Sequence, residues 1–593
     1  LKKLNLSSNQ LDKLNDSLKN NKVESLNLTQ NRFIAFPENL IEKFPSLEIF
    51  SFDCNFLKSF SKIQSEIIST LSISLNLIQT IETSTINLPH LINLDLSKNQ
   101  LKTIPNDFSK SFPSLVSLDL SDNYISDIPE NNSDDSVFPK TLKEINLTHN
   151  LLEKVPQSII SLPKLNQLIL AENKLTIITN LQPSVQKLDI SSNKIENISK
   201  ESLKSVKEIL LTDNAISEFP FELEMKECSS FISDHNKIKD INFKNFPPTI
   251  LNLDISFNQI TKIPEELFQW LPNLQSLSAN FNSLTELPSS ISYSTKLQQL
   301  HISYNPIQKL PKMPISLHSI SASNCQLQTV EGIFLDIKRP GHFSTNAGES
   351  KVSSASTFGL PEGNFHTQAY SCPFINLKNV DFSGNQLQVF PDIPYIQVLN
   401  LSQNKLTKLP VISSHTKILD VSMNCITSDT ESMPEVIHGT GLVDLNLSFN
   451  RLTKIPKFEN VPLLQCLELA GNQIEGTLDV TDLIFLDTLD ISKTDITTVN
   501  SNNELLREII TSNENLMITP VSKIEPKTNS AAKKKELYIK QNLNSKKEIS
   551  GFSEILGLRN AMEDSIILRD DLDLYAICDG HGGSNTAKYI AIK

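Results

Sequence analysis

Leu1-Lys2-Lys3-Leu4-Asn5-Leu6-Ser7-Ser8-Asn9-Gln10-Leu11 opens the chain, and its spacing, L-x-x-L-x-L-x-x-N-x-L, recurs almost to the end. The pattern returns as Val23, Leu26, Leu28 and Asn31, then as Leu47, Phe50, Phe52 and Asn55. Asn closes further copies at 76, 99, 123, 150, 173, 193, 214, 236, 258, 282 and 305. Cys325 takes the place once, Asn resumes at 385, 404, 424, 450 and 472, and Thr494 fills the last clear position. A period held over so many copies is not produced by chance, and internal repetition at this scale means an array of stacked units.

The physical meaning of each copy follows from its residue types. The L-x-L core is a short strand whose apolar side chains alternate inward, while the intervening positions face outward on the inner curve. A sharp turn follows, and a buried Asn amide there can bond backbone groups that the turn leaves without partners. An unsatisfied buried group costs about 1–3 kcal/mol, so Asn, Cys or Thr recurs rather than Leu. Pro often comes next, as at Pro129, Pro156, Pro288, Pro410 and Pro456, which sits poorly in a long helix. The outer side is therefore expected to be extended or short 3₁₀ segments with some helical turns. Copies mostly 20 to 24 residues apart resemble leucine-rich repeats, whose period is about 20–29. The fold expected for residues 1–516 is an α/β leucine-rich-repeat solenoid, a horseshoe. At ~4.8 Å per strand, about 21 coils make an arc on the order of 100 Å long. Such a surface binds other macromolecules, here a protein partner or phosphoprotein on the concave face.

One outward position of the strand carries Asp95, Asp119, Asp189, Asp254, Asp381, Asp420, Glu468 and Asp490, interleaved with Asn5, Asn27, Asn146, Asn400 and Asn446. An acidic track for a basic partner is one reading. Plain solvation of a polar position is the preferred one, because no aromatic cluster accompanies the acids. The same positions create N-x-S/T sequons at Asn27, Asn146 and Asn446, which the repeat itself explains.

The period breaks between Cys325 and Asn385, where residues 331–372 are expected to form an inserted loop containing Lys338-Arg339-Pro340-Gly341 and a Ser-rich tract. After Leu516 the repeat fades. Residues 517–548 are expected to be a linker, with Lys533, Lys534, Lys535, Lys540, Lys546 and Lys547 giving a local basic excess. A solvated hinge is preferred there over nuclear import or anionic-lipid binding.

At 593 residues the chain exceeds what one core can use, and its net charge of −13 excludes a basic nucleic-acid-binding stripe. No stretch is apolar enough to span a bilayer, so no transmembrane segment is expected. Seven scattered cysteines without a C-x-x-C pair read as reduced thiols, which points to the cytoplasm.

The last residues, 549–593, change character. Gly557-Leu558-Arg559-Asn560-Ala561-Met562-Glu563-Asp564 is followed by an apolar, strand-like run, Leu572 to Cys578. That run ends in Asp579-Gly580-His581-Gly582-Gly583, and Ser584 to Ile590 reads as the start of a helix. Three carboxylates around a Gly turn suit a hard cation, Mg²⁺ or Mn²⁺, rather than zinc. Arg559 offers a planar fork for a phosphate, and His581 is placed as a general acid.

Together, G-x-R-x-x-M-E-D and D-G-H-G-G resemble the metal-dependent protein phosphatase family (PPM, or type 2C). The resemblance implies an α-β-β-α sandwich and hydrolysis of phosphoserine or phosphothreonine assisted by two metal ions. It implies that Arg559 binds substrate phosphate and that Glu563, Asp579 and the Gly580 carbonyl hold metal. Asp564 would act on the metal through water, and His581 would protonate the leaving oxygen. The resemblance covers Gly551 to Lys593, roughly a sixth of such a domain. The 593 residues alone are therefore expected to be inactive, within a parent protein that is a targeted serine/threonine phosphatase. Two other readings stand beside this one: a non-catalytic scaffold with a phosphatase-like end, and part of a fungal-type adenylate cyclase. Those cyclases are similar in placing leucine-rich repeats before a phosphatase-like domain.

Overall fold

A computed structural model describes residues 2–330, 333 and 374–519, apart from 16, 132–135, 179–180, 200–202, 219–224, 242, 439–440, 460 and 504–505. Beyond these it describes the backbone of Lys527–Thr528, Ser565–Leu568, Tyr575–Asp579 and Lys588–Ile592. The repeat region is a leucine-rich-repeat β-solenoid. Its inner wall is one parallel sheet of 23 strands, nearly all three residues long and paired in strict chain order. Asn93–Asp95, for example, lies in register with Ser117–Asp119, which lies in register with Glu144–Asn146. In nearly all of these strands the middle residue is buried and its two neighbours look out, as in Asn93-Leu94-Asp95. That alternation is the strand pleat, and the uniform register follows because a one-residue slip would turn every Leu outward.

The ladder asparagines weld coil to coil. Asn99 Nδ2 donates to the carbonyls of Leu96 and Ser97 in its own coil and of Ile73 in the preceding one, at 3.0–3.1 Å. Its Oδ1 accepts the Ile78 N–H of that preceding coil at 3.0 Å. The same set recurs at Asn123 and Asn404. At Cys325 the thiol reaches the Ile302 and Ser323 carbonyls, and the Ile307 N–H turns back to the Asn305 carbonyl instead.

The outer side carries the extended and short helical segments expected of it, so β-solenoid describes the fold better than α/β. Among the described residues the α-helices are single turns of four residues, Leu40–Lys43, Phe108–Ser111, Gln157–Ile160 and Leu267–Trp270. They occur in longer coils, such as those from Asn31 to Asn55 and from Asn99 to Asn123. A shorter coil crosses the outer side extended, pairing Ile177–Ile178 with Asn197–Ile198. Short coils have too few residues for a full helix, while in longer coils Pro156 and Pro288 stand at the start of a helical turn. A chain of rings fills the wide N-terminal coils: Phe60 stacks on Phe112 at 5.8 Å, and Phe108 meets Phe112 at 4.7 Å and Phe138 at 5.9 Å.

The sheet closes directly across the break in the period. Ser319–Ser321 pairs with Asn379–Asp381, and Asn385 Oδ1 accepts the Leu327 N–H at 3.0 Å. The insertion expected at 331–372 lies outside the described residues except for Ile333. The parallel ladder also runs past residue 516, since Glu508–Thr511 pairs with Lys527–Thr528 and Asp495–Asn500 with Met517–Thr519.

Near the C-terminal end, Ser565–Leu568, Tyr575–Asp579 and Lys588–Ile592 form an antiparallel three-stranded sheet. The middle strand answers the expected run at 572–578. The helix expected from Ser584 to Ile590 is not what Lys588–Ile592 forms: it is a strand, rich in β-favouring residues (Tyr589, Ile590, Ile592).

Candidate functional site

The acidic strand position has a structural duty. Asp95 Oδ1 accepts the Ser97 N–H at 2.8 Å, Asp119 that of Ser121 at 2.8 Å, and Asp254 that of Ser256 at 2.9 Å. Asp189, Asp381, Asp420 and Asp490 do the same to the residue two ahead. So do Asn5 and Asn400, and also the sequon residues Asn27, Asn146 and Asn446. These Asx turns lead each strand into its corner. Burial raises the carboxyl pKa of Asp95, Asp381 and Asp420, against the pull of those hydrogen bonds. Asp254 is pushed up to about 6 by burial and then by the charge of Asp234. Asp444, the first residue of the strand Asp444–Asn446 and so outside this position, goes to about 7 through burial, Glu468 and Asp420. Plain solvation, the reading preferred from the sequence, leaves out this duty: the carboxyls are partly buried and tie the backbone at the corner.

The premise that no aromatic cluster accompanies the acids is incorrect. His235, Phe257, Phe281 and Tyr304, from four successive coils, form one continuous stack. Centroids lie 3.9, 4.2 and 4.0 Å apart, with planes inclined by 14°, 13° and 10°. Each ring belongs to the residue just before a ladder Asn. That position has a left-handed backbone throughout the solenoid, with φ of 51°, 52°, 51° and 57° at these four residues. The corner throws its side chain out beside the sheet, so the rings stay 36–39 % exposed at Phe257, Phe281 and Tyr304. His235 is fixed by Asp234, whose Oδ2 lies 2.8 Å from the ring Nδ1, while Asp234 Oδ1 accepts from Thr212 Oγ1 at 2.6 Å. The signal was in the sequence: the residue preceding Asn236, Asn258, Asn282 and Asn305 is aromatic or His each time.

Of the residues expected to carry chemistry, Arg559, Glu563, Asp564, Gly580 and His581 lie outside the described residues. Asp579 closes the strand Tyr575–Asp579. The register bears on both motifs: Ser565, which follows Asp564, pairs with Cys578, which precedes Asp579. Glu563, Asp564 and Asp579 offer carboxylate oxygens, a donor set whose chemistry fits Mg²⁺ or Mn²⁺. Among the described residues no group of three or more His, Cys, Asp or Glu is placed to hold a metal ion, and no helix is long and apolar enough to cross a membrane. Cys54, Cys228, Cys325 and Cys425 are free thiols. Burial pushes Cys228 up to about 12 and Cys325 up to about 11, so both behave as small apolar groups.

Comparison with known proteins agrees with this architecture. The leucine-rich-repeat family matches at residues 68–125 and 248–307. Mouse podocan is 23 % identical over 380 residues, 58 % of this chain and 56 % of podocan. An adenylate cyclase of Schizosaccharomyces pombe is 23 % identical over 433 residues, 65 % of this chain and 22 % of that protein. The chain thus spans about half of podocan and under a quarter of the cyclase. Among solved structures, YopM from Yersinia enterocolitica superposes with a TM-score of 0.55 at 21 % identity, covering 86 % of this chain and 91 % of YopM. That likeness establishes the solenoid fold.

Proposed function

We propose that this leucine-rich-repeat scaffold is the targeting half of a metal-dependent protein serine/threonine phosphatase of the cytoplasm. The observation that carries the catalytic part is the order and register of two motifs. Met562-Glu563-Asp564 runs into the strand Ser565–Leu568, and Asp579-Gly580-His581 leaves the strand paired with it. That hairpin supports a reading in which both sets of acidic residues serve one end of a sheet. In this reading Arg559 binds the phosphate dianion and His581 donates a proton to the departing serine or threonine oxygen. Glu563, Asp579 and the Gly580 carbonyl would hold Mg²⁺ or Mn²⁺, with Asp564 acting through water, and the metal would supply positive charge for the phosphoryl oxygens and acidify water. The solenoid presents a protein substrate or partner, and free thiols in the repeats favour a reducing compartment.

One observation favours a second reading. The likeness to the S. pombe adenylate cyclase, over 65 % of this chain, fits a protein in which repeats and a phosphatase-like segment precede a cyclase domain. Incubating the full-length gene product with Mn²⁺ and either a phosphothreonine peptide or ATP separates the two. Release of inorganic phosphate from the peptide supports the phosphatase; formation of cyclic AMP from ATP supports the cyclase arrangement and overturns the first reading.

A further inference from the structure

We infer that the stack His235–Phe257–Phe281–Tyr304 and the acids beside it form a docking surface for a peptide segment that combines arginine with apolar side chains. This rests on the reading of the repeats as an interaction scaffold, and is independent of the phosphatase chemistry.

Stacked rings cover one another's faces and show their edges, so four coils present a single apolar strip rather than four separate rings. Phe257, Phe281 and Tyr304 remain more than a third exposed. Most leucine-rich coils place polar residues at this corner, as with Lys98, Asp122, Glu172 and Gln403. Apolar and aromatic side chains of a partner pack well against ring edges.

Charge selects the rest of the partner. Along the strands and corners from Glu208 to Asn324, the Asp, Glu, Lys and Arg residues are Glu208, Asp213, Asp234 and Asp254, all acids. Glu208 is paired with Lys187 at 3.1 Å. Asp234 and Asp254 sit in neighbouring coils directly beside the rings, and the charge of Asp234 adds to burial in raising the pKa of Asp254. A guanidinium laid across them would relieve that repulsion, and its planar fork suits two carboxylates. An acidic partner would be repelled, and a purely polar cation would gain nothing from the strip.

Binding of three fluorescein-labelled peptides to the 593-residue chain, read by fluorescence anisotropy, tests the assignment. The probes are an alternating Arg/Leu peptide, an Arg/Ser peptide of equal charge, and a Glu/Leu peptide of equal apolar content. The wild type should prefer Arg/Leu over both others by at least about tenfold. Phe257→Ala combined with Phe281→Ala should remove most of that preference. Asp234→Asn combined with Asp254→Asn, which leaves Phe257, Phe281 and Tyr304 unchanged, should weaken Arg/Leu binding on its own and keeps the test valid if the ring variant misfolds. Arg/Leu binding unchanged in both variants, or equal binding of Glu/Leu, overturns the assignment and leaves the scaffold reading standing. A wild type that binds none of the peptides overturns the assignment and counts against the scaffold reading too.

Discussion

Phe257 and Phe281 lie face to face with centroids 4.2 Å apart and planes 13° from parallel, each at a left-handed corner one residue before a ladder asparagine. The corner geometry, repeated every coil, brings side chains about 22–24 residues apart into contact at the strand spacing. Aromatic contact of this kind contributes about 0.5–1.5 kcal/mol per pair. Phe281→Ala removes its contacts with both Phe257 and Tyr304. Hydrogen exchange should then accelerate locally at Asn252–Asp254 and Gln299–His301, by roughly five- to 150-fold, with strands remote from the stack unaffected.

Asn99→Ala should be among the most damaging single changes in the repeat. It strands the buried Ile78 N–H, while the Ile73, Leu96 and Ser97 carbonyls each keep one other donor, from Asn76 Nδ2, Asn123 Nδ2 and the Leu75 N–H. A loss of about 1–3 kcal/mol in urea unfolding is expected. A loss below about 0.5 kcal/mol would mean that the ladder does not join the coils.

Asp444 supplies a pH signature. Its folded pKa of about 7 lies above the ordinary 3.8, so the folded state holds a proton that the unfolded chain gives up. The stability tied to this group is full below pH about 4 and is lost as pH rises through about 7. Asp444→Asn should therefore match wild type near pH 4 and be the more stable protein at pH 8, by about 2 kcal/mol or more. Thermal melts of both proteins across this range check the sign.

The corner position also predicts opposite outcomes for two glycine exchanges. Lys98 has φ of 54°, so Lys98→Gly should leave stability unchanged or raise it by up to about 1 kcal/mol. Gly471, at φ +67°, would place a new Cβ 2.5 Å from the Phe449 ring. Gly471→Ala should lower the melting temperature and displace Phe449, over which Lys493 Nζ sits at 5.2 Å.

The solenoid was legible because its physics is written once per coil: Leu94 and Leu96 turn inward while Asn99 ties the corner, and the same letters recur. The Asx turns were less visible, since Asp95 or Asp254 reads equally well as a binding acid until its partner N–H is located. The aromatic stack was overlooked for a different reason. His235, Phe257, Phe281 and Tyr304 are dispersed along the chain and meet only because each occupies the same corner. The extended and short helical make-up of the outer side was legible as well, since a coil of 20 to 24 residues is too short for a full helix. At the C-terminal end, β-favouring Tyr589, Ile590 and Ile592 prevailed over a plausible N-cap at Ser584.

The measurement closest to the centre of the account is Mn²⁺-dependent phosphate release from a phosphothreonine peptide by the full-length gene product, wild type beside Asp579→Asn. The account predicts turnover that needs the metal and falls by at least about a hundredfold in the variant. Equal turnover in the two proteins, or none from a folded wild type, would contradict it.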